Sequence, residues 1–417
     1  MPPEPDAAAP GAAVPDRARP DACPGALRLH TADDGALARI RLPGGLLTNR
    51  QALALADAAQ ELGDGRLEIT SRGNVQLRGL APDCGGELGG RLRAVGLLPS
   101  DTHERVRNIV ASPGPAVGLA DVRAWARGLD LALCASPWAT GLSGKFLFAL
   151  DDGSGDVAAL DADVTLIAGP DGTALLRLGR AATVRPVRAD RAVGAALDAA
   201  RAFLEAQRAA GTRAWHLREV PDLLPPGPLP MPVLPGTRPP LGALPGGGLH
   251  VGLRFGLAAA GQWRTLADAA EGELRLTPWR GAVLPGAPAG RLAGLAEAGF
   301  RTAATAWDGA SACTGLPGCA KSLADVRADA ARALDGGPAV GGPAVSGEPA
   351  VAGGLPVHWS GCERRCGHPA GRRVDVLATG QGYRVAVEGL PPGRGTAVEV
   401  TNEEMAAVVA AARRTTT

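Results

Sequence analysis

The chain has 417 residues, of which 46% are hydrophobic and 20% charged, with a formal net charge of +1. That is the make-up of an ordinary globular protein of about two to four domains. The near-neutral balance argues against a broad basic surface for nucleic acid, and no apolar run reaches transmembrane length, so neither nucleic acid nor membrane is an expected partner.

Residues 1–22 are rich in Pro, Ala and Asp, lack the pattern of a secretory signal, and read as a disordered tail on a cytoplasmic protein. ALARIRL, from Ala36, alternates as a strand does. Thr48 then caps a helix that runs to Leu62. RLEITSRGNVQLRGL follows as a strand broken around Arg72-Gly73-Asn74. HVGLRFGL, QWRTLADAA and ELRLTPWRGAVL repeat that strand–helix–strand order from His250 onward.

Two longer matches support an internal duplication. LADVRAWARGLD (Leu119 to Asp130) returns as LADVRADAARALD (Leu323 to Asp335), and GRLEIT (Gly65 to Thr70) returns as GELRLT (Gly272 to Thr277). SPGP from Ser112 falls opposite LPGC from Leu316 at the first of these offsets. The order predicts an α+β protein built from two copies packed about a pseudo-two-fold axis. Residues 221–248 read as an unstructured Pro-rich linker between the copies, and 335–354 as a low-complexity surface insertion.

Four of the seven cysteines form two close pairs, Cys313 with Cys319 and Cys362 with Cys366. Two short loops, each carrying two thiolates among glycines, can converge on a 4Fe–4S cube. A structural zinc site is the first alternative, although zinc pairs usually show Cys-x2-Cys or Cys-x4-Cys spacing. Ordinary free cysteines are the second. Cys23, Cys84 and Cys134 are scattered singly and read as small buried hydrophobes.

A basic set lies in the first copy: Arg72, Asn74, Gln76 and Arg78, then Arg107 and Asn108, then Lys145. Residues 72, 74, 76 and 78 would share one face of a single extended strand. Such a row suits carboxylates, which Arg binds bidentately. The alternative is a solvated strand face.

Taken together, the two cysteine pairs, TSRGNVQLRG, the Arg107-Asn108 pair and the GKF at Lys145 resemble the sirohaem-dependent sulfite and nitrite reductase superfamily. The resemblance implies two ferredoxin-like half-domains packed together (23–100 and 249–302). It also implies two cluster- or haem-type α+β domains (101–220 and 303–417), the second one holding the cluster. The four cysteines become the ligands of a 4Fe–4S cluster, with the Cys366 sulfur bridging to the haem iron where a sirohaem is present; an additional iron centre, either sirohaem or non-haem iron, is also implied. Catalytic roles fall to Lys145, Arg72 and Arg107. Asn74, Gln76, Arg78 and Asn108 join the two arginines in holding a macrocycle. Those reductases carry a second basic residue two positions after the lysine, where this chain has Leu147, and this weakens the case for handling sulfite.

RPDACPGALRLHTADDGALARIRLPGG and GKFLFALDDG resemble the branch of the superfamily that acts in aerobic cobalamin biosynthesis. That branch implies an oxygen-dependent monooxygenase that hydroxylates precorrin-3A and closes a lactone before ring contraction. Its partners would be the tetrapyrrole, dioxygen and an electron donor, either an NADH-dependent reductase or a ferredoxin. A sirohaem-dependent sulfite or nitrite reductase and a non-catalytic metal-binding protein are the competing expectations.

Overall fold

The computed structural model describes residues 21–114, 119–336, 354–369, 371–390 and 397–415. Nearly all of the expected tail (1–22) and of the expected insertion at 335–354 lies outside these residues, as does Pro115.

Two five-stranded antiparallel sheets form the centre. The first runs in the order His30–Ala32, Gly35–Ile40, Val75–Leu80, Arg66–Ile69, Leu257–Ala259. The second runs Gly242–Ala243, Leu249–Gly252, Gly281–Leu284, Glu273–Leu276, Leu46–Thr48. Each sheet therefore takes its last strand from the other half of the chain. Leu46 pairs with Arg275 as Leu257 pairs with Glu68, which is a reciprocal exchange.

Local backbone chemistry makes the exchange possible. The chain turns at Pro43-Gly44-Gly45, where both glycines have positive φ. A Cβ on Gly45 would lie 2.1 Å from the carbonyl oxygen of Leu276, and one on its mate Gly256 would lie 2.5 Å from that of Ile69. Only glycine lets the backbones approach so closely. The following helices, Asn49–Leu62 and Ala260–Ala269, pack on each other, and Trp263 Nε1 donates to the Ala52 carbonyl at 3.1 Å. Thr48 and Gln51 form a reciprocal capping box on the first helix, as its sequence predicts. A single apolar core, including Leu55, Leu67, Leu77, Trp263, Leu266 and Leu274, joins the two halves.

Each half continues into an α+β module. In the first, Ile109–Ala111, Phe148–Asp151 and Val164–Ala168 pair in parallel, and Thr173–Leu178 and Thr183–Arg188 extend the sheet antiparallel. The second repeats this order with Ala310–Ala312, Val357–Ser360, Arg373–Ala378, Tyr383–Glu388 and Val398–Val400. Helices Val122–Cys134 and Ala192–Ala209 cover the first module, and Val326–Gly336 and Met405–Arg413 the second.

The segment 221–248 departs from the expectation of an unstructured linker. Leu229–Pro230 adds to the edge strand Thr183–Arg188, and Gly242–Ala243 adds to Leu249–Gly252. Proline is tolerated there because an edge strand leaves one side of its backbone unpaired. Among the described residues, no helix is long and apolar enough to cross a membrane.

Candidate functional site

The cysteine pairs follow two adjacent parallel strands of the second module. Cys313 comes directly after Ala310–Ala312, and Cys362 two residues after Ser360. The Cys313 N–H donates to the Trp359 carbonyl at 2.9 Å, the Leu323 N–H to that of Gly361 at 2.8 Å, and the Gly361 N–H to Cys313 Sγ at 3.2 Å. All four are free thiols, with Cys366 exposed. Burial pushes the Cys313 thiol up, and the charge of Cys366 adds to this, so a bound cation would relieve both. No three of these sulfurs lie within 4.8 Å of one another.

Three side chains hold the loops. Arg78 clamps Asp34 at 2.8 and 2.6 Å and also donates to the Gly318 carbonyl at 3.3 Å. Arg327 donates to the Cys313 carbonyl and to Glu68, both at 3.0 Å. His358 reaches the Cys366 carbonyl through Nε2 at 3.1 Å and Ser311 Oγ through Nδ1 at 2.8 Å. A carbonyl only accepts, so the His358 proton sits on Nε2. Burial lowers this imidazole to about 3, so it stays neutral.

The basic residues form a separate cleft of about 230 Å³, lined by Cys23, Arg39, Arg41, Thr70, Ser71, Arg72, Asn74, Asn108 and Lys145. Arg41 donates to the carbonyls of Arg105 (3.2 Å) and Gly144 (3.3 Å), Arg39 to Gln76 Oε1 (2.7 Å), and Arg72 to the Lys145 carbonyl (3.0 Å). Among the described residues, none of the three guanidiniums has a carboxylate within ion-pair distance. Nη1 of Arg41 and Nε of Arg39 are sealed from solvent without a partner. Burial lowers all three, Arg41 to about 9. Buried charge left without a counter-charge is costly, and an anion bound in the cleft would offset that cost.

The expected row at 72, 74, 76 and 78 is not one strand face. Residues 70–74 form a tight turn with Gly73 at φ 66°, and the strand begins only at Val75. Arg72 and Asn74 therefore enter the cleft, Gln76 steadies Arg39, and Arg78 grips the cysteine loop. Asn74 and Asn108 hydrogen-bond to each other at 3.0 Å in the cleft wall. Arg107 does not line the cleft. It pairs bidentately with Asp130 at 2.6 and 2.8 Å and donates to the Leu97 carbonyl at 3.0 Å. Lys145 Nζ lies 4.2 Å from the Trp215 ring centroid. Leu147 packs away from the cleft in a buried apolar cluster with Val110, Ala149 and Val157.

Arg39 and Arg41 are the cleft residues that the sequence analysis passed over. Their signal is the spacing of two guanidiniums either side of Ile40, at the end of an otherwise apolar strand.

Comparison with known proteins fits this geometry. Residues 30–88 match the nitrite/sulfite reductase ferredoxin-like half domain. The fold covers 90% of this chain and 79% of the Mycobacterium tuberculosis NirA protein, with a TM-score of 0.66 at 20% identity. The chain thus has the nitrite/sulfite reductase architecture and fits that superfamily. A precorrin-3B synthase from Sinorhizobium sp is 28% identical over 408 residues, 90% of this chain and 84% of that protein. A ferredoxin–nitrite reductase from Synechococcus elongatus is 38% identical over 126 residues, 28% of this chain and 25% of that enzyme, so this match spans about a quarter of the relative's length.

Proposed function

We propose that the chain is a redox enzyme of the precorrin-3B synthase type, which hydroxylates precorrin-3A and closes a lactone in aerobic cobalamin biosynthesis. The observation that carries this reading is the cleft holding Arg39, Arg41 and Arg72 with no counter-anion among the described residues. A tetrapyrrole ringed with carboxylates supplies those anions, and the planar guanidiniums can take them bidentately. Asn74 and Asn108 hold the turn that presents Arg72. Lys145, steadied over Trp215, places a further cation at the cleft.

Cys313, Cys319, Cys362 and Cys366 would hold the 4Fe–4S cluster, and an additional iron centre, sirohaem or non-haem iron, belongs to the same reading. Bound there, the cluster supplies electrons one at a time. In the overall reaction, one atom of dioxygen enters the substrate and the other leaves as water, using two protons and two electrons. The electrons come from an NADH-dependent reductase or a ferredoxin.

A second reading is a sirohaem-dependent sulfite or nitrite reductase, favoured by the cations of the same cleft. Against it stands Leu147, buried among apolar side chains where a second cation would be needed. The absorption spectrum of the purified protein separates the readings. A broad brown band without haem bands supports the first. Strong sirohaem bands move weight to the second, and a colourless zinc protein overturns both.

A further inference from the structure

The hairpin turn that delivers Arg72 recurs in the second half, with three of its hydrogen bonds repeated. In the first copy, Thr70 N–H donates to the Asn74 carbonyl (2.8 Å), Gly73 N–H to the Thr70 carbonyl (3.0 Å), and Asn74 N–H to Thr70 Oγ1 (3.2 Å). In the second, Thr277 N–H donates to the Gly281 carbonyl (2.9 Å), Arg280 N–H to the Thr277 carbonyl (3.1 Å), and Gly281 N–H to Thr277 Oγ1 (3.1 Å). Arg280 thus occupies the place of Gly73. Both are left-handed, Gly73 at φ 66° and Arg280 at φ 62°. Glycine adopts that conformation freely, whereas a long side chain adopts it at a cost in backbone strain.

The strained arginine is also unpaired. Its Nε is sealed from solvent without a partner, and among the described residues no carboxylate lies within ion-pair distance of it. Glu68, the nearby carboxylate that acts on it electrostatically, is already bonded to Arg327 at 3.0 Å. The Arg280 stem packs against the Arg254–Gly256 turn, its Cγ and Cδ 3.1 Å from where a Cβ on Gly256 would sit. Its charge also acts on His358, the residue that holds the Cys366 carbonyl. A guanidinium held in a strained conformation, unpaired and beside the cysteine loops, has no structural task that a glycine would not perform better.

We propose that Arg280 is an anion-binding residue contributed by the second half, and that it takes a carboxylate of the tetrapyrrole on the edge nearest the cysteine loops. The ligand then spans the pseudo-two-fold, held by Arg39, Arg41 and Arg72 from one copy and by Arg280 from the other. This rests on the tetrapyrrole reading of the cleft.

The test is a fluorescence titration of the full-length protein with uroporphyrin, a tetrapyrrole octacarboxylate. Wild type, Arg280→Gly and Arg41→Gln are compared, with thermal midpoint and bound iron measured on each. Loss of a charged hydrogen bond predicts that Arg280→Gly weakens uroporphyrin binding roughly ten- to a hundred-fold. Its thermal midpoint should be equal or higher, because glycine relieves the turn, and its iron content unchanged. Binding within about two-fold of wild type, with Arg41→Gln impaired, overturns the Arg280 proposal and leaves the cleft reading standing. Unchanged binding in both variants overturns the tetrapyrrole reading and this proposal with it. A lowered midpoint or lost iron in Arg280→Gly shows that the residue supports the fold, and also overturns the proposal; Arg280→Asn, whose side chain tolerates the left-handed region, repeats the measurement if the glycine variant does not fold.

Discussion

Ser112 stands in the first module where Cys313 stands in the second. Each follows the first strand of its parallel triplet, and each accepts a hydrogen bond from the backbone across the sheet. Asp152 N–H reaches Ser112 Oγ at 3.1 Å, and Gly361 N–H reaches Cys313 Sγ at 3.2 Å. The place of the second cysteine pair is taken by a loop tied to Asp151, whose carboxylate accepts from the N–H groups of Gly153, Gly155, Val157 and Ala158. Ser112 Oγ closes the site by donating to Asp156 at 2.5 Å. One half is therefore equipped with thiols, and its mate is sealed with oxygen ligands and backbone.

The first prediction follows from that asymmetry. Replacing any one of Cys313, Cys319, Cys362 or Cys366 by Ala should remove the brown colour and most of the bound iron. Cys84→Ala and Cys134→Ala should retain both, since neither lies near the pairs. Iron and sulfide analysis of the purified variants checks this, and full content in Cys319→Ala would show the ligand set to be wrong.

A second prediction concerns Asp156. Burial raises its carboxyl from 3.8 to about 7, with Asp151 and Asp152 adding to the rise, and Arg238 carries the nearby positive charge. The folded protein then keeps a proton that the unfolded chain releases near its ordinary value. Stability from this group is full below about pH 4, falls as pH rises toward about 7, and is level above. Asp156→Asn should remove that slope, so its thermal midpoint should gain on wild type between about pH 4 and about pH 7. Parallel curves for the two proteins would show that the carboxyl does not titrate there.

Arg107 and Arg41 should part company. Arg107 is 4% exposed and ion-paired, so Arg107→Ala leaves Asp130 alone in a largely buried place, a loss of about 3–5 kcal/mol. It should lower the thermal midpoint far more than it changes tetrapyrrole binding. Arg41→Gln should do the reverse, because among the described residues its guanidinium has no carboxylate partner to lose. Equal effects of the two on binding would return Arg107 to the cleft.

The duplication was legible because the helix beginning LADVRA and the strand GRLEIT recur with their turns intact. The strand exchange was not. Leu46–Thr48 and Leu257–Ala259 are three residues each, too short to leave a period, and what sends them across is a glycine contact with the other half. The opposition of SPGP to LPGC was also three residues out, because strand pairing sets Ser112 against Cys313 and not against Leu316. In the cleft, Arg72 and Asn74 were legible as polar residues beside a glycine, but that glycine also took them off the strand. The Arg107–Asp130 pair joins residues whose spacing carries no signal at all.

The exchange carries its own prediction. Each sheet borrows a strand, and a single core spans both halves, so neither half should fold alone. Cutting the chain between Pro230 and Gly242 and co-expressing the pieces should still yield a complex, since the cut leaves both short edge pairings intact. A monomeric, cooperatively melting first half on its own would contradict this.

The central claim is tested most directly by turnover of precorrin-3A under labelled dioxygen with an electron donor present, following the mass of the product, while sulfite and nitrite reduction are assayed without oxygen. The account predicts one labelled oxygen atom in the tetrapyrrole product and little or no sulfide or ammonia. An unlabelled tetrapyrrole together with robust sulfite or nitrite reduction would contradict it.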